Sequence, residues 1–132
     1  MRNIIIVTII TLLGAAWYFT QEKPSNQTAQ NTTSIIVPEL TAAAQIGETY
    51  FNAKCAACHG INGAGTQKGP TFINKAYRKG HHADESFQRA AKLGVAAHHW
   101  RFGNMPPVAG ITRAEVTKII VYIREIQAAN GL

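Results

Sequence analysis

The chain has 132 residues, 46% of them hydrophobic, which is enough for one domain with a compact core and one additional segment. Its net charge is +6, but its lysines and arginines are scattered rather than clustered with aromatic residues, which argues against nucleic-acid binding. A basic balance of this size suits docking to an acidic protein surface or a position near anionic lipid. Both cysteines lie in one short motif, so no disulfide framework supports the fold.

Residues 1–20 are predicted to be a signal anchor, an N-terminal transmembrane helix. Met1-Arg2-Asn3 is short and positive, and residues 4–19 carry no charged side chain. Sixteen residues rise about 24 Å as a helix, slightly less than the ~30 Å of a hydrocarbon core, which fits a cleaved signal peptide as well as an anchor. The aromatic cluster Trp17-Tyr18-Phe19 is typical of an interfacial belt and favours a retained helix with its Arg2 end inside.

Residues 21–38 are predicted to be a flexible polar linker. This stretch is rich in Gln, Asn, Ser and Thr and poor in apolar residues, which indicates disorder. As a flexible tether of 18 residues it would span about 23 Å on average. A folded domain is predicted over residues 39–132.

The first helix of this domain is predicted from about Ala42 to Lys54, with Thr41 as its N-cap. Three bulky residues fall on a common face of it: Ile46, Tyr50 and Phe51. Gly47 lies beside that face and would allow another helix to approach closely. The helix delivers Cys55 at its far end.

Cys55-Ala56-Ala57-Cys58-His59 has the pattern C-x-x-C-H, which is the attachment signature of covalently bound haem c. Two thiols three positions apart can add across the two vinyl groups of one porphyrin edge. The residue after the second thiol is then carried under the iron, where His59 offers an imidazole nitrogen. The motif therefore predicts one covalent haem, with Cys55 and Cys58 as its attachment points and His59 as an iron ligand.

Other uses of the two cysteines fit less well. A thioredoxin-like pair belongs beside a βαβ pattern, and nothing similar to a strand precedes Cys55. A zinc site needs four ligands in a typical spacing, whereas the other histidines come as adjacent pairs. A disulfide across two intervening residues would close a very small loop and stabilise little.

Two further helices are predicted downstream. The middle helix runs from about Glu85 to Leu93, behind Asp84 and before Gly94, with Phe87, Ala90 and Ala91 turned inward. The last helix begins at the capping box of Thr112 and Glu115 and stops at Asn130-Gly131. Its apolar residues follow helical spacing, and Tyr122 lies next to them: Val116, Ile119, Ile120, Ile123 and Ile126.

Met105 is the second predicted iron ligand. It is the only methionine after the haem motif, and Pro106-Pro107 stiffen the backbone beside it. A methionine in a loop can also be ordinary packing. A stiff loop, however, holds a weak thioether on iron at little entropic cost, and a His/Met pair is an electron-transfer ligand set that raises the reduction potential.

Two pairs of adjacent histidines, His81-His82 and His98-His99, leave more than one interpretation open. They can face solvent or hydrogen-bond the haem propionates, which is the interpretation favoured here. Alternatively they form a copper or other metal site, or one of them replaces Met105 on iron in some state. Adjacent histidines project in different directions and chelate poorly, which disfavours the metal site.

Together these motifs resemble the class I c-type cytochromes over roughly residues 39–132. The order is that of the family: helix, C-x-x-C-H, loop, middle helix, methionine loop and C-terminal helix. The resemblance implies an all-α fold of three or more helices around one haem, with the first and last helices crossing at Gly47, Tyr50 or Phe51, and Tyr122. It also implies that the carbonyl of Pro70, after Gly69, holds the outer N–H of His59.

The expected function is therefore single-electron transfer rather than catalysis. With His59 and Met105 both on iron, no site remains for a small-molecule substrate. Expected partners are redox proteins that donate and accept the electron, and the membrane through the N-terminal anchor; the expected location is the bacterial inner membrane, with the haem domain facing the periplasm. Two alternatives remain: a cytochrome subunit of a dehydrogenase or oxidase complex, and a haem or copper sensor or metal-handling protein that uses the paired histidines.

Overall fold

The computed structural model of the protein describes residues 34–98 and 101–132. Four α-helices follow one another in this part of the chain: α1 (Ala42–Lys54), α2 (Ala56–His59), α3 (Asp84–Leu93) and α4 (Arg113–Ala129). Two 3₁₀ turns, Ile61–Gly63 and Lys75–Tyr77, lie between α2 and α3. The described residues contain no β-strand beyond a single bridge between Val95 and Met105. The predicted all-α fold is confirmed.

Local sequence signals set the ends of the helices. Thr41 caps α1 by accepting a hydrogen bond from the backbone N–H of Ala44, as predicted. The capping box at the start of α4 is complete, with Thr112 and Glu115 each binding the other's backbone N–H. α3 begins one residue earlier than predicted, because Asp84 lies in its first turn and Ala83 occupies the cap position.

The core lies where α1 crosses α4. Phe51 and Tyr122 are fully buried there, with ring centroids 5.5 Å apart. Gly47 makes the close approach possible, because a Cβ at this position would lie 2.0 Å from the carbonyl oxygen of Lys118. The crossing is therefore the predicted one, with Phe51 rather than Tyr50 facing Tyr122. The apolar stripe of α4 is buried as predicted: Val116, Ile119, Ile120, Ile123 and Ile126.

The buried face of α1 differs from the predicted one. It consists of Ala44, Gly47 and Phe51, which follow the three- and four-residue spacing of a helix. Ile46 is 47% exposed, one position away from this face. Side-chain size misled the prediction at Ile46, because the residues that precede Phe51 on the buried face are the small Gly47 and Ala44.

The described residues at the N-terminal side of α1 pack against the end of α4. The backbone of Ile36 makes two hydrogen bonds with the side-chain amide of Asn130, at 3.0 and 2.8 Å. Thr41 binds the Glu125 carboxylate through its backbone N–H and its hydroxyl. None of the helices in residues 34–98 and 101–132 is long and apolar enough to cross a membrane. The anchor and most of the linker predicted above lie outside the described residues.

Candidate haem site

A large cavity opens between the helices, with a volume of about 920 Å³. This is at the upper end of the range for ligand pockets and suits a large flat ligand. Its lining is mainly apolar and comes from the end of α1, the C-x-x-C-H motif, α3, α4 and the loops between them. Three residues of the motif, Cys55, Cys58 and His59, reach this cavity, and Met105 reaches it from the loop before α4.

His59 is held in a defined orientation. Its Nδ1 lies 3.0 Å from the carbonyl oxygen of Pro70, as the family resemblance implied. A carbonyl oxygen only accepts hydrogen bonds, so Nδ1 carries the proton and Nε2 keeps a free lone pair. The ring also stacks on Phe72, with centroids 4.4 Å apart. Burial lowers the pKa of His59, although its bond to Pro70 opposes this, and the neutral ring that results is the form that binds a metal.

The two thiols differ in their surroundings. Cys55 is half-buried and Cys58 is exposed, and both are free cysteines. The pKa of the Cys55 thiol is raised to about 11, chiefly by burial and secondly by the charge of Cys58, while Lys54 opposes the rise. Cys55 is therefore a protonated thiol at neutral pH. The turn that brings both residues to the cavity follows from α1 ending at Lys54 and α2 beginning at Ala56.

The backbone on both sides of Met105 is fixed. Met105 and Val95 exchange two backbone hydrogen bonds of 2.9 Å, which form the isolated bridge. Gly94 precedes this bridge with φ +73°, and a Cβ there would lie 2.4 Å from the Met105 carbonyl oxygen. The Val108 N–H binds the carbonyl of Ala91 at the end of α3. The methionine loop is thus tied at two points, to Val95 just after α3 and to Ala91 within α3, one on each side of Pro106-Pro107.

The described histidines of the two pairs lie around the same cavity but do not form a metal cluster. Nδ1 of His81 lies 3.1 Å from Nδ1 of His82, which also contacts the carbonyl oxygen of Ala76. Nδ1 of His98 binds the carbonyl of Ala96 at 2.7 Å. In the part of the chain that the structure describes, no three His, Cys, Asp or Glu side chains are grouped to hold a metal ion. His99 lies outside the described residues.

Two polar residues of α4 support the cavity wall and were not singled out from the sequence. Arg124 and Gln127 bind backbone carbonyls of the segment between α2 and α3, including that of Tyr77. Gln127 is only 2% exposed. A signal was present, because Gln127 stands four residues after Ile123 and seven after Ile120, inside the apolar stripe.

The fold and the cavity define a class of protein: a small helical domain around a cavity that suits a large flat group, with a histidine and a methionine in the cavity lining. The Cytochrome c family model matches residues 44–127, more than half of the chain, and the chain therefore belongs to the cytochrome c family. Comparison with curated proteins and comparison with solved structures gave no significant match. As a member of this family, the domain binds haem c covalently and serves haem-based electron transfer.

Proposed function

We propose that this protein is a membrane-tethered single-electron carrier, with one haem c attached through Cys55 and Cys58 and ligated by His59 and Met105. The observation that carries the proposal is that these four side chains, from two distant parts of the sequence, line one cavity. Bound haem supplies one-electron chemistry, since its iron alternates between the ferrous and ferric states. The residues of the chain determine how easily that change occurs.

His59 and Met105 would hold the haem iron as a pair of protein ligands. The bond to Pro70 keeps the His59 ring from rotating and leaves Nε2 free to ligate. Met105 is a neutral and weak donor, and such a donor favours the ferrous state, which raises the reduction potential. The paired backbone around Met105 limits the entropy lost when its sulfur is held in place.

The cavity lining keeps water away from the bound group. Phe51, Phe72 and Phe87 contribute aromatic rings to a wall that is predominantly apolar. A dry environment disfavours the additional positive charge of the ferric state, so it also raises the potential. If His59 and Met105 both bind the iron, no place would remain for a small-molecule substrate, and we propose no catalytic reaction.

The proposed partners are redox proteins with an acidic docking surface. Among the described residues that line the cavity, Lys54, Lys68 and Arg89 carry a positive charge and none is acidic. Opposite charge on a partner would speed encounter and orient the cavity toward it.

Tethering by residues 1–20, with the haem domain on the periplasmic side of a bacterial inner membrane, rests on the sequence pattern alone. Carbonate extraction of membranes that contain the full-length chain tests the anchor, and recovery of a soluble form that begins beyond residue 19 would refute it.

The test of the ligand assignment uses two substitutions of Met105. Met105→Ala and Met105→Leu both remove the sulfur, but Leu retains nearly the same volume and so separates ligand loss from a packing defect. Both variants should lose the far-red sulfur-to-iron charge-transfer band of the oxidised protein and bind added imidazole. Their reduction potential should fall by more than about 59 mV, which corresponds to a tenfold change in the one-electron redox equilibrium constant. A band that persists in both variants would refute Met105 as the ligand.

A metal-handling or sensor protein and a fixed oxidoreductase subunit are the other candidate functions. Nothing in the described residues favours a metal-handling or sensor function, and we do not propose one. A fixed subunit of a dehydrogenase or oxidase would use the same haem site as a free carrier. That alternative stays a prediction, and co-purification of the tethered protein from solubilised membranes distinguishes it.

A further inference from the structure

Two arginine–carboxylate pairs connect α3 with α4, and their environments are very different. Arg113 and Glu85 lie 2.6 Å apart, and their side chains are 69% and 62% exposed. Arg124 and Asp84 lie 2.9 Å apart, and the Arg124 side chain is only 17% exposed. Exposed pairs such as the first contribute little to stability. The second pair holds a charge largely removed from solvent.

Arg124 also binds the wall of the haem cavity from behind. Its Nη1 donates to the carbonyl oxygen of Tyr77 and its Nη2 to that of His82, both at 2.7 Å. Its guanidinium carbon lies 5.0 Å from the centroid of the Phe87 ring. Tyr77, His82 and Phe87 all line the cavity. Arg124 is therefore one layer behind the bound group and in contact with three residues that face it.

The hydrogen-bond geometry shows why arginine is needed at this position. A guanidinium has five N–H donors in a rigid fork, and Arg124 directs them to two carbonyls, the Asp84 carboxylate and the Gln127 side-chain oxygen. The two carbonyls belong to the two ends of the segment 77–82. Arg78 and Lys79 between them are exposed, and the Gln127 amide also donates to the Tyr77 carbonyl, so the Arg124 fork, which binds both ends, is one of the restraints on the segment.

We propose that Arg124 is a positioning residue for the haem, which holds the segment 77–82 against the cavity and raises the reduction potential through its charge. The ferric haem has one more positive charge than the ferrous haem, so a cation in a region of low dielectric favours the ferrous state. Release of the segment 77–82 from the cavity wall would admit water to the cavity, and water favours the ferric state. The inference rests on a haem in this cavity, but not on the identity of the ligand opposite His59.

The first test compares Arg124→Met with Arg113→Met. Both variants remove a guanidinium that pairs with an acid of α3, and only the first loses the contacts with the cavity wall. Arg124→Met should shift the equilibrium between ferrous and ferric protein at least fivefold toward the ferric form. Arg113→Met should shift it less than twofold. Equal shifts in the two variants would overturn the proposal.

The second test asks whether charge or packing causes the shift. Asp84→Asn removes the carboxylate and leaves the guanidinium able to donate to both carbonyls, so the potential should rise. Glu85→Gln, one residue away on the same helix, is its control and should leave the potential unchanged. A purely structural role predicts a fall in both Arg124→Met and Asp84→Asn, and that result would refute the part of the proposal that concerns charge.

The third test measures the segment itself. Trypsin cleaves after Arg78 and Lys79, so release of the segment 77–82 should speed cleavage there in Arg124→Met and not in Arg113→Met. Unchanged cleavage would refute the positioning role. If Arg124→Met fails to incorporate haem, Arg124→Lys replaces it. This variant retains the charge and loses the fork, so cleavage should accelerate while the redox equilibrium constant changes less than twofold. A far-red band that persists in these variants separates any failure here from failure of the Met105 assignment.

Discussion

At the scale of single residues, hydrogen bonds between buried polar atoms determine which atoms are available to bind a ligand. At His59, one backbone carbonyl selects the protonated nitrogen and so determines which nitrogen can ligate. Gly69, just before Pro70, permits that arrangement, because a Cβ there would lie 2.9 Å from the Cys58 carbonyl oxygen and 3.3 Å from Nδ1 of His59. A side chain at position 69 would therefore displace the histidine or the carbonyl that holds it.

Tyr122 gives the domain a pH-dependent stability at alkaline pH. The ring is fully buried, and its hydroxyl donates to Oδ1 of Asn62 at 2.9 Å. The pKa of Tyr122 is raised to about 12, first by burial and secondly by the negative charge of Glu48. An unfolded tyrosine has a pKa of about 10. Above about pH 10 the unfolded chain therefore loses this proton while the folded chain keeps it, and the free energy of unfolding decreases as pH rises toward 12.

Replacement of Tyr122 by Phe should reduce this alkaline loss. At pH 7 the Tyr122→Phe variant should be less stable by roughly 1 kcal/mol, because Asn62 loses its donor. Between pH 10 and 12 its stability should fall less steeply with pH than that of the wild type. Guanidinium unfolding followed by circular dichroism at pH 7, 10 and 11 measures both effects, and Tyr50→Phe serves as the control hydroxyl deletion. If stability fell equally steeply with pH in Tyr122→Phe and the wild type, the alkaline loss of stability could not be assigned to Tyr122.

At the scale of elements, the crossing of α1 over α4 depends on one missing side chain. Elsewhere in a helix, replacing Gly by Ala gains about 1 kcal/mol of helix propensity. At Gly47 the added Cβ would lie 2.0 Å from the Lys118 carbonyl oxygen and 3.0 Å from the Cβ of Tyr122, so the helices must move apart. The steric cost comes from backbone, which cannot rotate away as a flexible side chain can.

Gly47→Ala should therefore destabilise the domain by roughly 1–3 kcal/mol, the range found for overpacked cores. Asn52→Ala is the matched control, because Asn52 is an exposed residue of the same helix and only the propensity changes. That control should leave the midpoint of guanidinium unfolding unchanged or slightly higher. A Gly47→Ala variant as stable as the control would mean that the crossing tolerates a methyl group.

Helix ends and loops also show which elements the sequence could predict. α1 and α4 were predicted with their caps, because the Thr41 and Thr112 signals and the apolar stripes are local. The start of α3 was predicted one residue late, since Asp84 resembles a cap while its carboxylate binds Arg124 from another helix. The bridge between Val95 and Met105 has no sequence signal of its own and depends on the close packing at Gly94.

On the scale of the whole molecule, charge is unevenly distributed. The segment 54–101 carries eight basic residues against two acidic ones, and both acidic residues, Asp84 and Glu85, are paired with arginines of α4. The unpaired positive charge is thus concentrated in the part of the chain that forms most of the cavity wall. This distribution should steer anionic electron acceptors toward the haem and repel cationic ones.

Oxidation of the ferrous protein by ferricyanide should therefore slow as ionic strength increases from 10 to 200 mM, because salt screens the attraction. Oxidation by a cationic cobalt complex should accelerate over the same range. Lys68→Gln, at the cavity, should weaken both dependences, whereas Lys118→Gln, on α4 and outside the cavity lining, should leave them nearly unchanged. Stopped-flow kinetics of the wild type and both variants with each oxidant measure these rates, and equal effects of the two variants would show that only net charge matters.

The sequence by itself determined the cofactor and its attachment motif, since C-x-x-C-H, a lone downstream methionine and helical periodicity are readable without a fold. It also indicated Gly47 and Pro70 through the family resemblance. Only the tertiary structure decided which face of α1 is buried, where His81 and His82 direct their nitrogens, and that Arg124 and Gln127 hold the cavity wall. The buried face of α1 and the hydrogen bonds of Arg124 and Gln127 depend on contacts between residues 40 or more positions apart, and no local pattern of residue types specifies which polar side chain will meet which carbonyl.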